Sequence, residues 1–401
     1  MMRPLDELRT VERAMVMRAG TIVGRLVRRV DAVEYVAEPG ATSGAAITLP
    51  AGQSVITHAP GALPPFFAGL LPEGRRLTAL RQATKTSADD EFTLLLAVGG
   101  DTIGDVCVIA EGDSFAPPRP ALDVAAWSDV SFASLFSDVS GGGVIDRVAI
   151  AGVQDKVSAR VVTTPVGQST DRYLLKLDPP EVPHLVANEA FFLGAARSIG
   201  LPTADHEVVV DRDGRHGLLV RRFDRVTGAD GNIMPLAQED GCQVLGRWPA
   251  DKYRLSTEEV ISGLARNCRA GPVAALAFLE QFVFAYLSCN GDAHAKNVSI
   301  RFVAGEWMAS PLYDAPSSHP YGDTSMALSI NGRTRENIGR DDFVALGEAV
   351  GVRPRATRRA IAAIVDRSGG WIERLDELPF DERRVHRLRR AIEYRRARLA
   401  G

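Results

Sequence analysis

Cysteine is scarce in this chain of 401 residues and follows no pattern, with four scattered examples at Cys107, Cys242, Cys268 and Cys289. None forms a Cys-x-x-Cys pair, so the sequence indicates neither a zinc cluster nor a disulfide framework. We expect free thiols in a reducing compartment, most simply the cytoplasm. The first ten residues lack the apolar core of a signal peptide, and no apolar run approaches the roughly 20 residues of a membrane helix. We therefore expect no membrane association.

A strong charge of either sign is also lacking. The 47 Lys and Arg nearly balance the 50 Asp and Glu, for a net charge of −3. Such a balance gives the molecule as a whole no electrostatic reason to coat nucleic acid. Its length suffices for two domains or one large two-lobed unit.

The first 115 residues predict a small α+β domain. Residues 11–37 alternate apolar and polar side chains, which is typical of an antiparallel meander. Residues 64–74 then place two aromatics and two leucines between prolines, and a charged helix is predicted from Arg75. Because no acid–base constellation occurs here, we assign this domain a scaffolding or interaction role.

A proline-rich stretch at residues 115–120 predicts a stiff linker to a second unit, residues 116–240. In this unit a glycine-rich turn at residues 140–143 precedes the run Gly-Val-Gln-Asp-Lys at residues 152–156. A turn of this kind can bring backbone N–H groups to phosphates. It is neither a Walker A loop nor a dinucleotide fingerprint, and taken alone a plain hairpin loop explains it as well.

Lys176 interrupts an apolar strand predicted at residues 173–177. A lysine inside a buried strand is rarely tolerated without an anionic partner, and Glu189 in the next predicted helix is the candidate. In kinases a strand lysine and a helix glutamate pair in this way, and the lysine reaches the phosphates. The alternative is an edge-strand lysine in solvent.

The third unit, residues 241–401, predicts a helical lobe around an apolar helix at residues 273–287. After that helix Asp292 is followed five residues later by Asn297, and Asp314 comes beyond the next strands. Buried carboxylates and amides are costly unless they hold a cation or a substrate. This order suits phosphoryl transfer: Asp292 would orient or deprotonate the attacking hydroxyl, while Asn297 and Asp314 would hold Mg²⁺.

Together these motifs resemble the HipA family, the serine/threonine kinase toxins of bacterial HipBA-type toxin–antitoxin pairs. The matching segments follow the family's order and lie at residues 66–74, 152–156, 175–177, 188–189, 222–225, 238–240, 290–297 and 312–314. The resemblance implies an α+β, two-lobed, protein-kinase-like fold with a small N-terminal subdomain and a helical C-terminal lobe. It also implies ATP and Mg²⁺ as cofactors and a protein hydroxyl as acceptor.

The resemblance further assigns individual residues. Asp292 is the catalytic base, and Asn297 and Asp314 are the metal ligands. The residues implied in ATP binding are Ala151, Gly152, Val153, Gln154, Asp155 and Lys156 in the phosphate loop, Lys176 in the strand, Arg221, Arg222 and Phe223 in the hinge, and His294, Ala295, Lys296, Asn297, Tyr313 and Asp314 in and after the catalytic loop.

The implied partners are a protein substrate, a class that in this family includes aminoacyl-tRNA synthetases, and a HipB-like helix-turn-helix antitoxin. DNA would be contacted only indirectly, through the antitoxin complex, and dimeric assembly is expected. One departure concerns self-inactivation, since several family members autophosphorylate a serine just before the Gly-Val-Gln segment. Residues 148–151 carry no hydroxyl here, so that route is not expected unless Ser140 or Ser158 replaces the missing serine.

Three alternatives have sequence arguments against them. A metallophosphoesterase uses an Asp-x-His like that of Asp292 and His294, but it needs further histidine ligands, and the seven histidines include no His-x-His pair. A small-molecule kinase of the aminoglycoside or choline type would not need the first domain or the Gly-Val-Gln loop. A catalytically silent binding module would not need the full set of Lys176, Asp292, Asn297 and Asp314.

Overall fold

The alternating N-terminal stretch forms the first sheet in the computed structural model, which describes residues 3–114, 122–123, 126–141, 162–168, 171–179, 181–228, 231–335 and 337–401. The sheet is antiparallel with strand order β4-β3-β2-β1-β5. Its strands are β1 (Arg13–Arg18), β2 (Thr21–Arg28), β3 (Val33–Ala37), β4 (Ser54–Thr57) and β5 (Val106–Ala110). In β3 and β5 every second residue is buried, so one face of the sheet packs on a core.

Three helices pack with this sheet: α1 (Pro65–Ala68), α2 (Gly74–Thr84) and α3 (Glu91–Val98). The Asp90 carboxylate caps α3 by accepting a hydrogen bond from the Thr93 backbone N–H. Sheet and helices share one hydrophobic core that extends from Leu8 to Ala110. This N-terminal unit confirms the predicted α+β subdomain. The predicted linker at residues 115–120 lies outside the described residues.

A second sheet has strand order β6-β7-β8-β10-β9. Its strands are β6 (Leu122–Asp123), β7 (Val162–Gln168), β8 (Asp171–Leu177), β9 (His206–Val210) and β10 (His216–Arg221), accompanied by α4 (Phe132–Gly141) and α5 (Leu185–Ser198). Because β8 lies between β7 and β10, Lys176 stands on an interior strand. Of the glycine-rich turn predicted at residues 140–143, residues 140–141 instead form the end of α4. Residues 142–143, Ser158 and the predicted phosphate loop at residues 151–156 lie outside the described residues.

The remaining strands flank the helical lobe. They are β11 (Arg225–Thr227), β12 (Ile233–Pro235), β13 (Gln238–Asp240), β14 (Ser299–Val303) and β15 (Glu306–Ala309). The helices are α6 (Gly241–Val244), α7 (Thr257–Ala265), α8 (Gly271–Leu287), α9 (Arg340–Ala349), α10 (Pro354–Arg367), α11 (Gly369–Glu373) and α12 (Glu382–Ala400). Residues 238–240 form a strand paired with β14, and the helix starts only after Asp240, whose side chain caps it.

The predicted central helix is confirmed as α8, whose residues from Phe278 to Leu287 are almost all buried. It belongs to a large core that extends from Val186 to Leu399 and therefore includes α5. Within the described ranges no helix combines the length and the apolar character that crossing a membrane requires. The four cysteines, all of which lie in described residues, form no disulfide.

Candidate active site

Lys176, Glu189 and Asp314 form a buried ionic triad. The Lys176 Nζ lies 2.7 and 2.8 Å from the two carboxylate oxygens of Glu189 on α5, and 3.0 Å from Oδ1 of Asp314. The lysine side chain is only 13% exposed. The predicted pairing with Glu189 is therefore present, and the solvent-exposed edge lysine is excluded.

The charges in this triad respond differently to burial. Burial alone would lower the pKa of Lys176, but Asp314 and Glu189 raise it above its ordinary value, so the ammonium stays charged. Burial raises the pKa of Glu189, whose side chain is 4% exposed. Asp314, at 15% exposed, is less desolvated, and the Lys176 ammonium holds its pKa below the ordinary value despite burial. Asp314 is thus an ionised oxygen donor at neutral pH.

The backbone at Asp314 is held in an uncommon conformation. Its φ of 53° is in the left-handed region, which a residue with a Cβ adopts rarely and which often marks a functional site. Asp314 is the fifth residue after β15 ends, so a connecting segment rather than the strand itself positions it. Leu312 is anchored to Pro202 by a backbone hydrogen bond of 2.8 Å, and the Tyr313 hydroxyl donates to the Lys296 carbonyl at 2.9 Å. These contacts fix Asp314 against the catalytic loop, residues 289–297.

Asp292 lies in this loop and is 3% exposed. Its backbone N–H donates to Oδ1 of Asn290 at 2.9 Å, and its carbonyl accepts from Nδ2 of Asn297 at 2.8 Å. The Tyr253 hydroxyl donates to Oδ1 of Asp292 at 2.6 Å. Tyr253 was not found from the sequence, because it precedes Asp292 by 39 residues and no local spacing connects them. The arrangement fixes one carboxylate oxygen of the predicted base.

His294 is buried beside these groups. Its ring meets that of Tyr253 edge-on at 5.0 Å, and in the part of the chain that the structure describes neither ring nitrogen has a hydrogen-bond partner. Burial, aided by the nearby Lys252 ammonium, lowers the pKa of His294 to about 3. The ring is therefore neutral near pH 7 and can contact a ligand as a hydrogen-bonding group but not as a cation.

Two residues predicted to bind ATP have charged groups that bind residues of the N-terminal unit. The Arg222 guanidinium is buried in bonds to Asp224 and Asp101, and it also donates to the Thr102 carbonyl at 2.8 Å. The Lys296 Nζ donates to Oε1 of Glu73 at 2.7 Å. Both cations thus bind the N-terminal unit, and the sequence pattern had given no sign of it.

The other predicted hinge and loop residues have separate surroundings. The Phe223 ring packs on Tyr313 at 5.5 Å, and Arg221 lies half-buried near Asp205, with a closest approach of 3.9 Å. Ala295 is buried in the catalytic loop. Ala151, Gly152, Val153, Gln154, Asp155 and Lys156 lie outside the described residues.

The oxygen donors at the site suit Mg²⁺. Because Nδ2 of Asn297 is bound to the Asp292 carbonyl, the amide Oδ1 points elsewhere, and Asp314 has a second oxygen beyond the one on Lys176. No group of three or more His, Cys, Asp or Glu in the described ranges could hold a metal by itself. Mg²⁺ takes one or two protein oxygens together with phosphates and water, so it fits this donor set. The histidine-rich centre of a metallophosphoesterase is missing from the same residues.

Comparison with known proteins identifies the family. A model described as the HipA-like C-terminal domain matches residues 148–372, more than half of the chain, and a HipA N-terminal domain model matches residues 14–109. The chain belongs to the HipA family. The Sinorhizobium fredii protein Y4mE is 31% identical over 331 residues, which cover 78% of this chain and 79% of that relative.

The chain is also similar to HipA of Shewanella oneidensis, both in sequence and in structure. The serine/threonine-protein kinase toxin HipA of Shewanella oneidensis is 26% identical over 287 residues, covering 66% of this chain and 65% of the relative. In a solved complex of Shewanella oneidensis HipA, HipB and operator DNA, one chain matches with a TM-score of 0.77 at 20% identity over 97% of both chains. The predicted kinase-like HipA fold is thereby confirmed.

Proposed function

We propose that this HipA-family protein is an ATP- and Mg²⁺-dependent serine/threonine protein kinase with Asp292 as its base. The supporting observation is the convergence of four polar groups from three separate segments of the chain. Lys176 from β8 binds Asp314 directly, and Tyr313, the neighbour of Asp314, binds the catalytic loop that carries Asp292 and Asn297. The nucleotide would lie between a unit at residues 116–240 and the helical unit at residues 241–401, with residues 1–115 as a third unit.

Each protein group has a role in the proposed transfer. Asp292, with one oxygen held by Tyr253, would accept the proton of the attacking hydroxyl. Lys176 would contact the phosphates, while Asn297 and Asp314 would hold the metal. When bound, Mg²⁺ neutralises charge on the phosphates during transfer. His294, Phe223 and the backbone at residues 151–156 would complete the nucleotide site.

The acceptor and the regulatory partner follow from the family. Family membership favours a protein hydroxyl over a small molecule, with an aminoacyl-tRNA synthetase among the candidate substrates. The Shewanella oneidensis complex supports a HipB-like antitoxin as partner, with DNA contacted through that partner. The intact set of Lys176, Asp292, Asn297 and Asp314 favours a kinase over a silent binding module.

The test is transfer of a radiolabelled γ-phosphate from ATP to proteins of a cell lysate. Asp292→Asn should abolish labelling while ATP binding, measured by calorimetry, is retained. Asp366→Asn, at an exposed position of α10, is the matched control and should label normally. Turnover by Asp292→Asn would rule out its role as base, and absence of labelling by the unmodified protein would contradict the proposed activity.

A further inference from the structure

The segment at residues 63–74, here called the bridging segment, joins the N-terminal unit to the helical lobe. The Trp248 Nε1 donates to the Leu63 carbonyl, and the Gln243 Nε2 donates to the Phe66 carbonyl, each at 3.1 Å. A Cβ on Gly69 would lie 2.9 Å from the Gln243 Cγ, so glycine permits this close approach. The motif that sequence analysis assigned to a scaffold therefore packs directly against the catalytic lobe.

Glu73, near the end of the bridging segment, receives two lysines of that lobe. Its carboxylate lies 2.5 Å from the Nζ of Lys252 and 2.7 Å from the Nζ of Lys296. The side chains are 11%, 0% and 3% exposed, respectively. Burial opposes ionisation of Glu73, but Lys296 and Lys252 hold its pKa well below the ordinary range. One carboxylate thus joins two ammonium groups away from water.

Both lysines adjoin the catalytic machinery. The Lys252 carbonyl accepts the Ala295 backbone N–H at 3.2 Å, and the next residue, Tyr253, holds the Asp292 carboxylate. Lys296 directly precedes Asn297, and its carbonyl accepts the Tyr313 hydroxyl. Glu73 therefore binds Lys252, whose neighbour Tyr253 holds the proposed base. It also binds Lys296, whose neighbour Asn297 is a proposed metal ligand.

The buried cluster of Glu73, Lys252 and Lys296 is a poor source of stability, because the cost of removing three charges from water offsets much of their attraction. Apolar side chains of similar volume would hold the two units together as well. The directional hydrogen bonds of the cluster do fix the position of the bridging segment relative to the catalytic loop, which apolar contacts do less strictly. Lys296 is part of the catalytic loop and the Lys252 carbonyl binds that loop at Ala295, which indicates that the cluster supplies position.

We propose that Glu73 is a positioning residue for the catalytic loop. Through Glu73, the N-terminal unit holds Asp292 and Asn297 in the positions that phosphoryl transfer requires. This proposal rests on the proposed kinase function. It gives a part in catalysis to the N-terminal unit, to which none of the proposed catalytic, metal-binding or ATP-binding residues belongs. It also predicts that a full-length protein in which Glu73 no longer binds Lys252 and Lys296 would bind nucleotide but transfer phosphate slowly.

The test compares full-length variants. Glu73→Gln leaves two buried ammonium groups without their anion, so the double variant Glu73→Gln with Lys252→Met restores the original net charge of the cluster. Asp90→Asn is the matched control, because it removes a partly buried ion pair with Arg28 inside the N-terminal unit while an asparagine still caps α3. Three quantities are measured: kcat, the KM for ATP, and amide hydrogen exchange of a peptide spanning residues 289–297.

For Glu73→Gln and for the double variant, kcat should fall about 10- to 100-fold with the KM for ATP nearly unchanged, since a small misplacement of reacting groups has effects of that size. Exchange at residues 289–297 should become faster, whereas Asp90→Asn should match the unmodified protein in all three quantities. If the cluster of Glu73, Lys252 and Lys296 were merely structural, the variants would lose stability but would not show a lower kcat at an unchanged KM for ATP.

A folded double variant with normal kcat and normal exchange at residues 289–297 would overturn the proposal. If Glu73→Gln does not fold, the double variant alone decides. If the unmodified protein transfers no phosphate, the kinase assignment fails, and the exchange measurement then decides separately whether Glu73 holds the catalytic loop.

Discussion

Replacing Lys176 by methionine keeps the volume of the side chain and removes its charge, leaving the Glu189 and Asp314 carboxylates together without the cation between them. Breaking a buried ion pair by removing one partner costs about 3–5 kcal/mol of unfolding free energy, because the remaining charge stays desolvated. If Lys176 contacts phosphate, loss of one charged hydrogen bond costs about 1.5–3 kcal/mol more in ATP binding. That corresponds to a roughly 10- to 100-fold weaker affinity.

The stability loss should depend on pH with a definite sign. Without Lys176 the two buried carboxylates have raised pKa values in the folded protein, so the folded state binds more protons than the unfolded state and loses stability as pH rises. The difference in unfolding free energy between Lys176→Met and the unmodified protein should therefore become smaller as the pH is lowered from 7 to 5. Urea unfolding at both pH values and ATP calorimetry measure the two effects. Lys85→Met, at an exposed position, is the control. A folded Lys176→Met with unchanged ATP affinity would refute the phosphate contact.

Three further substitutions test other parts of the molecule. Tyr253→Phe removes the hydrogen bond to Asp292 and should lower kcat about 10-fold with ATP affinity unchanged; an unaltered kcat would contradict its role. Burial raises the pKa of Glu239 to about 8, so its folded form binds an extra proton and stability falls as pH rises from 5 to 8. In urea unfolding, Glu239→Gln should lack this fall and gain about 3 kcal/mol relative to the unmodified protein over that range. Gly241→Ala should destabilise by about 1–3 kcal/mol, since its Cβ would meet a catalytic-loop carbonyl at 2.6 Å, whereas Gly194→Ala has open space in a helix and should stabilise in the same assay.

Local patterns predicted those parts of the molecule that local physics determines. Alternation of apolar residues located the N-terminal meander, and an apolar surface all round identified α8 as a central helix. The pairing of Lys176 with Glu189 was predictable because a buried lysine on a strand requires an anion nearby.

The contacts between units were not predictable in this way. Glu73 meets Lys296 across 223 residues of sequence, and Arg222 meets Asp101 across 121. In neither pair does a sequence spacing, a hydrophobic period or a flanking residue predict the contact, because only the packing of separate units brings the two residues together. The same limit applied to Tyr253, and it caused the N-terminal motif to be assigned to a scaffold.

We propose that one metal-bound nucleotide accounts for the buried polar groups around Asp314. The most direct measurement is anomalous diffraction from crystals grown with Mn²⁺ in place of Mg²⁺ and a non-hydrolysable ATP analogue. We expect one manganese peak in coordination contact with the Asn297 amide oxygen and the Asp314 carboxylate, with phosphate oxygens against Lys176. A metal or nucleotide bound away from these three side chains would contradict it.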